Sequence, residues 1–223
     1  MNKKICICSI ATPDMEELTK ITWPNKEEYC KRNNYAGILQ TQTTPYLGFD
    51  KIHLIDGLLD TEKYEWILWL DNDTLITNFN KKIEEIIDEN YHFIITYDYA
   101  QLNAGVFLVR NSQQGKAYIK HLKRKMYELA PQNPWLFGEE QYALVNTYKD
   151  EEFKDIIKII SQKIMNAYPY SGVYGHKDGY LDLFGINGNW EQGDFIIHIP
   201  GFGPDLYHKR LDHFRKYIQF VVK

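Results

Sequence analysis

Trp66-Ile67-Leu68-Trp69-Leu70-Asp71-Asn72-Asp73-Thr74-Leu75-Ile76 is the stretch against which the rest of the chain is read. Its unbroken apolar run from Trp66 to Leu70 fits a strand covered on both faces, because a strand with one wet face would alternate. Such a strand belongs inside a mostly parallel sheet. Side chains two apart on an extended chain point the same way, so Asp71 and Asp73 can aim their carboxylates at one spot while Asn72 turns aside. In open α/β sheets ligands gather at the carboxyl ends of the strands, where this pair falls.

Paired acids at a strand end are a place for a cation. Without one, two carboxylates would repel a nucleotide diphosphate by about 4 kcal/mol per charge pair at 4 Å and an effective dielectric of 20. A divalent ion reverses that sign, and hard oxygen ligands suit Mn2+ or Mg2+ with substrate phosphates completing the shell. A calcium loop would need an acid or amide at its fifth position and glycine at its sixth, where this chain has Leu75 and Ile76.

The whole composition narrows the class. At 223 residues and with no linker, the chain is read as one domain, 1–223. Net charge is −4 and the basic residues are dispersed, which argues against a nucleic-acid partner. No apolar run approaches a transmembrane segment, and Met1-Asn2-Lys3-Lys4 leads straight into a strand-like segment, so a soluble, cytoplasmic protein is expected. Cys6, Cys8 and Cys30 lack zinc spacing and read as free thiols.

Ile5 to Ile10 reads as the first strand and Thr12-Pro13-Asp14 as a helix start. Ile10, Ala11 and Thr12 thus fall at the first strand-to-helix loop, a nucleotide-binding position in doubly wound folds. The loop has no glycine, which excludes a Walker or dinucleotide loop. Trp23-Pro24 is expected to end the helix, with a capping-box restart at Asn25-Lys26-Glu27-Glu28. A strand over Tyr35–Gln40 follows. A helix over Lys51–Leu59 carries Lys51, a candidate to face the nucleotide. Ile83, Ile86 and Ile87 mark a short amphipathic helix, and Phe93–Thr96 a further strand. The alternation predicts an α/β, Rossmann-like, mostly parallel central sheet flanked by helices.

Asn103-Ala104-Gly105 opens the apolar strand that runs to Asn111. Gly105 lets backbone approach a ligand closely, beside Ala104, and Asn103 offers a donor and an acceptor to sugar hydroxyls. Gly115–Ala130 reads as an amphipathic helix. Pro134–Gln141 reads as a loop feeding a helix; a glutamate there is either a structural anion favoured by the helix dipole or, with Glu140 and Gln141 as the pair, a group that acts near an anomeric carbon. Eight of the 14 glycines lie between Gly172 and Gly203, interleaved with aromatic residues, a composition suited to gripping an acceptor sugar. Gly193–Gly201 gives another buried strand, with His198 as a neutral nitrogen ligand and Gly201 just beyond it. In the closing helix Lys209 and Arg210 are candidates to reach the diphosphate.

These residues together resemble glycosyltransferase family 34. The likeness rests on Tyr29-Cys30 with Tyr35, Lys51-Ile52, Trp66 to Thr74, Asn103 to Asn111, Glu140-Gln141, Asn166-Ala167-Tyr168 and Gly193 to Gly201, in that order over most of the chain. The resemblance implies a GT-A fold and transfer of a hexose or pentose from a UDP- or GDP-linked sugar to a glycan or other hydroxyl acceptor, with retention of configuration. It implies that Asp71, Asp73 and His198 hold manganese against the diphosphate, and that Gln141 and its acidic neighbour sit at the reacting sugar. Family members commonly have aspartate where this chain has Glu140, and eukaryotic members carry an N-terminal membrane anchor. The rival readings are an inverting transferase with Glu139 or Glu140 as base, and a non-catalytic sugar- or metal-binding module.

Overall fold

The computed structural model describes residues 4–98, 101–129, 139–169, 181–200 and 207–223. Strands β1 (Ile5–Ile10), β2 (Ala36–Gln40), β3 (Trp66–Leu70), β5 (Phe93–Tyr97), β6 (Leu102–Arg110) and β7 (Ile157–Ser161) form one sheet in the order β2-β1-β3-β6-β5-β7. A smaller sheet pairs β4 (Thr74–Ile76) with β8 (Ile196–His198). The helices are α1 (Glu16–Asn33), α2 (Leu47–Asp60), α3 (Gln113–Leu129), α4 (Glu140–Thr147), α5 (Gln162–Met165) and α6 (Tyr207–Tyr217).

β3 lies inside the sheet and is buried throughout, as its apolar run predicts. Its side chains serve two cores alternately. Ile67 and Trp69 join a cluster roofed by Ile52, Ile55 and Leu59 of α2 and Tyr118, Ile119 and Leu122 of α3. Trp66, Leu68 and Leu70 join the opposite cluster with Tyr29 and Cys30 of α1, Ile76 of β4 and Phe195. This period of two explains why no polar residue interrupts the strand. Cys6 and Cys8 pack as small apolar side chains in the first cluster and carry no disulfide. A third cluster, Leu211 and Phe214 of α6 on Leu18, Leu75 and Ile197, docks α6 beside the C-terminal end of β3.

The sheet is mostly parallel, with β6 the reversed strand: it runs antiparallel to β3 and to β5, while β1–β2, β1–β3 and β5–β7 are parallel. Because β6 is reversed, its start lies at the carboxyl end of β3 and brings Asn103, Ala104 and Gly105 to the acidic pair; Leu70 pairs with Val106, and Asp71 N–H donates to the Gly105 carbonyl at 2.8 Å.

Several expected boundaries are corrected. Trp23-Pro24 does not end α1, which continues to Asn33 with Pro24 inside it. Pro24 is exposed, so the carbonyl it leaves unpaired reaches water, while the buried face of α1 stays anchored. The residues around Ile83 make one 3-10 turn, Ile83–Glu85, rather than an amphipathic helix. The buried strand expected over Gly193–Gly201 is three residues long and belongs to the small sheet.

Candidate active site

The acids stand in a tight turn between β3 and β4 rather than on extended strand. Thr74 closes it, its N–H and its hydroxyl both donating to the Asp71 carbonyl at 3.2 and 2.7 Å. β4 then pairs with β8 so that Thr74 faces His198, and Ile199 N–H donates to the Asp73 carbonyl at 2.9 Å. This register carries a histidine 125 residues away in sequence onto the acidic turn. Ligand atoms of Asp71, Asp73 and His198 all lie within 4.8 Å of one another.

The histidine's protonation follows from its neighbours. Asn166 donates through Nδ2 to Thr96 Oγ1 at 2.8 Å and to Asn103 Oδ1 at 3.0 Å, which turns its Oδ1 toward His198 Nδ1 at 2.8 Å. An amide oxygen can only accept, so Nδ1 carries a proton and Nε2 is the ring atom turned to the acids. That nitrogen is buried, has no hydrogen-bond partner among the described residues, and sits 3.3 Å from Asp73 Oδ1. A buried ring nitrogen beside two carboxylates is a place where either a proton or a metal cation can sit. With two hard oxygens and one imidazole, the donor set fits Mn2+ or Mg2+.

Each acid is oriented from behind. Trp69 Nε1 donates to Asp71 Oδ1 at 2.7 Å, and Lys51 Nζ reaches the same oxygen at 2.9 Å. Lys51 is buried, paired also with Glu140, hydrogen-bonded to the Ala104 carbonyl at 3.2 Å and seated over the Trp69 ring. Burial alone would lower its pKa, but Asp71 and Glu140 outweigh burial and hold the ammonium well above its ordinary value. Burial likewise works against Asp73, and His198, Arg210 and Lys26 overcome it and keep the carboxyl below 3.8. Arg210 Nη1 of α6 lies 3.5 Å from Asp73 Oδ2.

Lys51, Trp69, Asp71, Asp73, Glu140 and Arg210 line a cleft of about 350 Å³ whose other walls include Ile10, Thr12, Tyr46, Gly48 and Glu139; His198 and Lys26 lie buried behind it. At its rim α4 begins with Glu140 and Gln141, and Gln141 Oε1 accepts from Ala104 N–H at 3.1 Å. Glu139 has its pKa raised, by partial burial first and by the adjacent Glu140 second.

The sequence-derived candidates divide. Ile10, Thr12, Lys51, Asp71, Asn72, Asp73 and Glu140 line the cleft. Ala11 is held by its N–H to the Gln40 carbonyl at 2.9 Å and faces a second, apolar hollow with Trp23 and Pro24. Asn72 turns its amide to Thr19 and Thr22 of α1 at 2.8 and 3.0 Å. Asn103 is engaged within the protein: its Nδ2 donates to Tyr168 at 2.8 Å, and its Oδ1 accepts from Gly105 N–H and Asn166. At Gly105 a Cβ would stand 2.2 Å from His198 Cε1, so the glycine makes room for the imidazole. Lys209 is exposed, one position away on the helix from Arg210, whose side chain is the one turned inward. Gly201 lies outside the described residues.

Sequence reasoning missed Lys26 and Trp69 as supports of the acids. The signal for Trp69 is its position two before Asp71 on the same strand face. Lys26 is fully buried on α1, and burial pushes its ammonium down to about 7 against the pull of Asp73 and Asp71.

The mostly parallel α/β sheet with flanking helices, and a pair of acids after its third strand, is a GT-A architecture, and solved structures share the fold. A crystal structure of a glycosyltransferase involved in the glycosylation of the major capsid of PBCV-1 superposes with a TM-score of 0.69 at 20% identity, covering 96% of this chain and 99% of that one. The glycosyltransferase GlyE of Streptococcus pneumoniae TIGR4 gives 0.57 at 12% identity, over 100% of this chain and 61% of its own. The chain belongs to the galactosyl transferase GMA12/MNN10 family, whose model matches residues 5–90 and 87–205. Among its relatives, a probable alpha-1,6-mannosyltransferase of Saccharomyces cerevisiae is 25% identical over 84% of this chain, and an alpha-1,2-galactosyltransferase of Schizosaccharomyces pombe is 23% identical over 88%. The chain spans 56% and 59% of the lengths of these two relatives. Among the described residues, no helix is long and apolar enough to cross a membrane.

Proposed function

We propose that this protein is a metal-dependent glycosyltransferase that moves a hexose or pentose from a UDP- or GDP-linked donor to a glycan or other hydroxyl acceptor, with retention of anomeric configuration. The observation that carries the reading is the convergence of Asp71, Asp73 and His198, with the buried His198 Nε2 aimed between the acids. A bound Mn2+ or Mg2+ supplies Lewis-acid charge to the departing diphosphate. The chain's own residues do the rest. Trp69 and Lys51 fix Asp71 through one oxygen, leaving the other for coordination, and Arg210 adds a positive group beside Asp73 where the diphosphate's charge grows. Gln141, its Oε1 held by Ala104 N–H, follows Glu140 on the first turn of α4 and is assigned to the reacting sugar.

Retention is favoured because Glu140 is tied into an ion pair with Lys51 and would have to break it to accept an acceptor proton. The second reading is an inverting reaction with Glu139 as base, and the raised pKa of that residue is what favours it. The test is a panel of UDP- and GDP-sugars with Mn2+, following transfer or slow hydrolysis and assigning the product anomer by NMR. Metal-dependent turnover with a retained anomer is expected; an inverted product replaces the first reading by the second. No turnover of any donor, with or without metal, would leave only a sugar- or metal-binding module.

A further inference from the structure

One side of α1 holds the acidic turn through a row of polar side chains. Thr19, Thr22, Asn25 and Lys26 fall on one helix face and point at the segment from Asp71 to Ile76. Asn25 pairs with Ile76 as a strand residue would: its Nδ2 donates to the Ile76 carbonyl and its Oδ1 accepts the Ile76 N–H, each at 2.9 Å. That closes the outer edge of β4 with a side-chain amide. Thr22 donates to Asn72 Oδ1 at 3.0 Å, and Asn72 Nδ2 donates to Thr19 at 2.8 Å. Lys26 completes the row with Nζ 2.8 Å from the Asp71 carbonyl and 3.4 Å from that of Asn72.

The lysine is the unusual member. Its side chain is 0% exposed, and its hydrogen bonds go to carbonyl oxygens rather than to a carboxylate. A lysine held for fold stability would pair with an acid or run its head to water. This one instead sits under the backbone that carries both acids and fixes two successive carbonyls toward the helix, which forces the two carboxylates to the cleft side.

We propose that Lys26 is a positioning residue for the metal site, setting the backbone of the Asp71-Asn72-Asp73 turn so that both carboxylates meet His198, with Thr22 and Asn25 as the remaining points of the clasp. The inference rests on the metal reading given above. It assigns no contact with donor or acceptor to Lys26, so its effect is on the affinity for the ion and not on the chemistry once the ion is bound.

The experiment measures Mn2+ affinity of the full chain directly, by EPR of free manganese without any nucleotide, for wild type, Lys26→Met and Thr22→Val. Lys26→Met keeps the unbranched stem of the side chain and removes the ammonium with its donors; metal affinity should fall about 10- to 100-fold, the range for groups that orient ligands from behind. Thr22→Val leaves the lysine in place and should weaken binding by a smaller factor, about threefold, on the same scale. Turnover at saturating Mn2+ should recover in both variants, so that the half-saturating metal concentration rises while kcat stays near wild type. Lys26→Met that folds, by circular dichroism, and binds Mn2+ as wild type does overturns the proposal. If Lys26→Met does not fold, unchanged Mn2+ affinity in Thr22→Val overturns it instead. A wild-type chain that binds no Mn2+ sinks the metal reading and this inference together, whereas one that binds Mn2+ but turns over no donor sinks only the catalytic reading.

Discussion

At the scale of single residues, two positions at the site have effects that can be separated. Gly105 is one: because its absent Cβ leaves 2.2 Å to His198 Cε1 and 2.8 Å to Nδ1, Gly105→Ala must push the imidazole off the acids or shift β6. Overpacking of this kind destabilises by about 1–3 kcal/mol, and a displaced ligand weakens the ion as well, so both the urea midpoint and the Mn2+ affinity should drop. A variant with wild-type metal affinity would mean that the ring does not need its present position. Glu139 is the other. Its folded pKa is raised above the unfolded 4.5, so folded protein holds the proton more tightly. As pH rises through 4.5 the unfolded chain ionises first, stability falls until the folded group has also ionised, and the deficit then stays constant. Glu139→Gln should therefore melt higher than wild type near pH 7 and show no such gain near pH 4. The gain is small because the residue is largely exposed. The same variant keeps its turnover in a retaining reaction and loses it in an inverting one that uses this carboxylate as base.

At the scale of elements, the sequence disclosed strands more readily than helix ends. β3 and β6 were legible from uninterrupted apolar runs, and β1 from Ile5 to Ile10, because burial on both faces leaves no room for polar residues. α1 was misjudged at Pro24. Proline removes one hydrogen bond and clashes with the preceding turn, which in an isolated helix is decisive. Here Leu18 and Tyr29 pack into two different clusters on either side of the proline, and Asn25 and Lys26 are bonded to the acidic turn just after it. Tertiary anchoring on the buried face outweighs a local defect on the wet one. Pro24→Ala should then restore the missing helix bond without disturbing any contact of the clasp, raising stability by about 1–3 kcal/mol in urea unfolding with unchanged metal affinity. A loss of stability would show that the proline is matched to a bend that alanine cannot keep.

At the scale of the whole molecule, the arrangement turns on one reversal of direction. With β6 antiparallel, the Asn103-Ala104-Gly105 end of that strand and the Asp71 end of β3 meet on one edge, and the β4–β8 pair then folds His198 over both. The three candidate ligand residues were readable as types in their local settings; that His198 joins the acids depends on the Thr74–His198 register, which no local pattern encodes. Arg210 was hard to separate from Lys209 for a related reason. Which of two adjacent basic residues faces inward depends on how α6 is rotated, and Leu211 and Phe214 set that rotation by docking on Leu18 and Ile197. A site assembled from segments this far apart exists only in the folded chain, so an ion bound there stabilises folding as a whole. At 100 times its dissociation constant Mn2+ should add about 2.7 kcal/mol, which for a chain of this size raises the melting temperature by roughly 5–11 °C. Chelation should reverse the gain completely. Asp73→Ala removes one ligand and also the partner that faces His198 and Arg210, so its melting temperature should no longer respond to manganese. A manganese response that survives in Asp73→Ala would place the ion elsewhere on the molecule and separate the fold, which stands without it, from the chemistry assigned to this cleft.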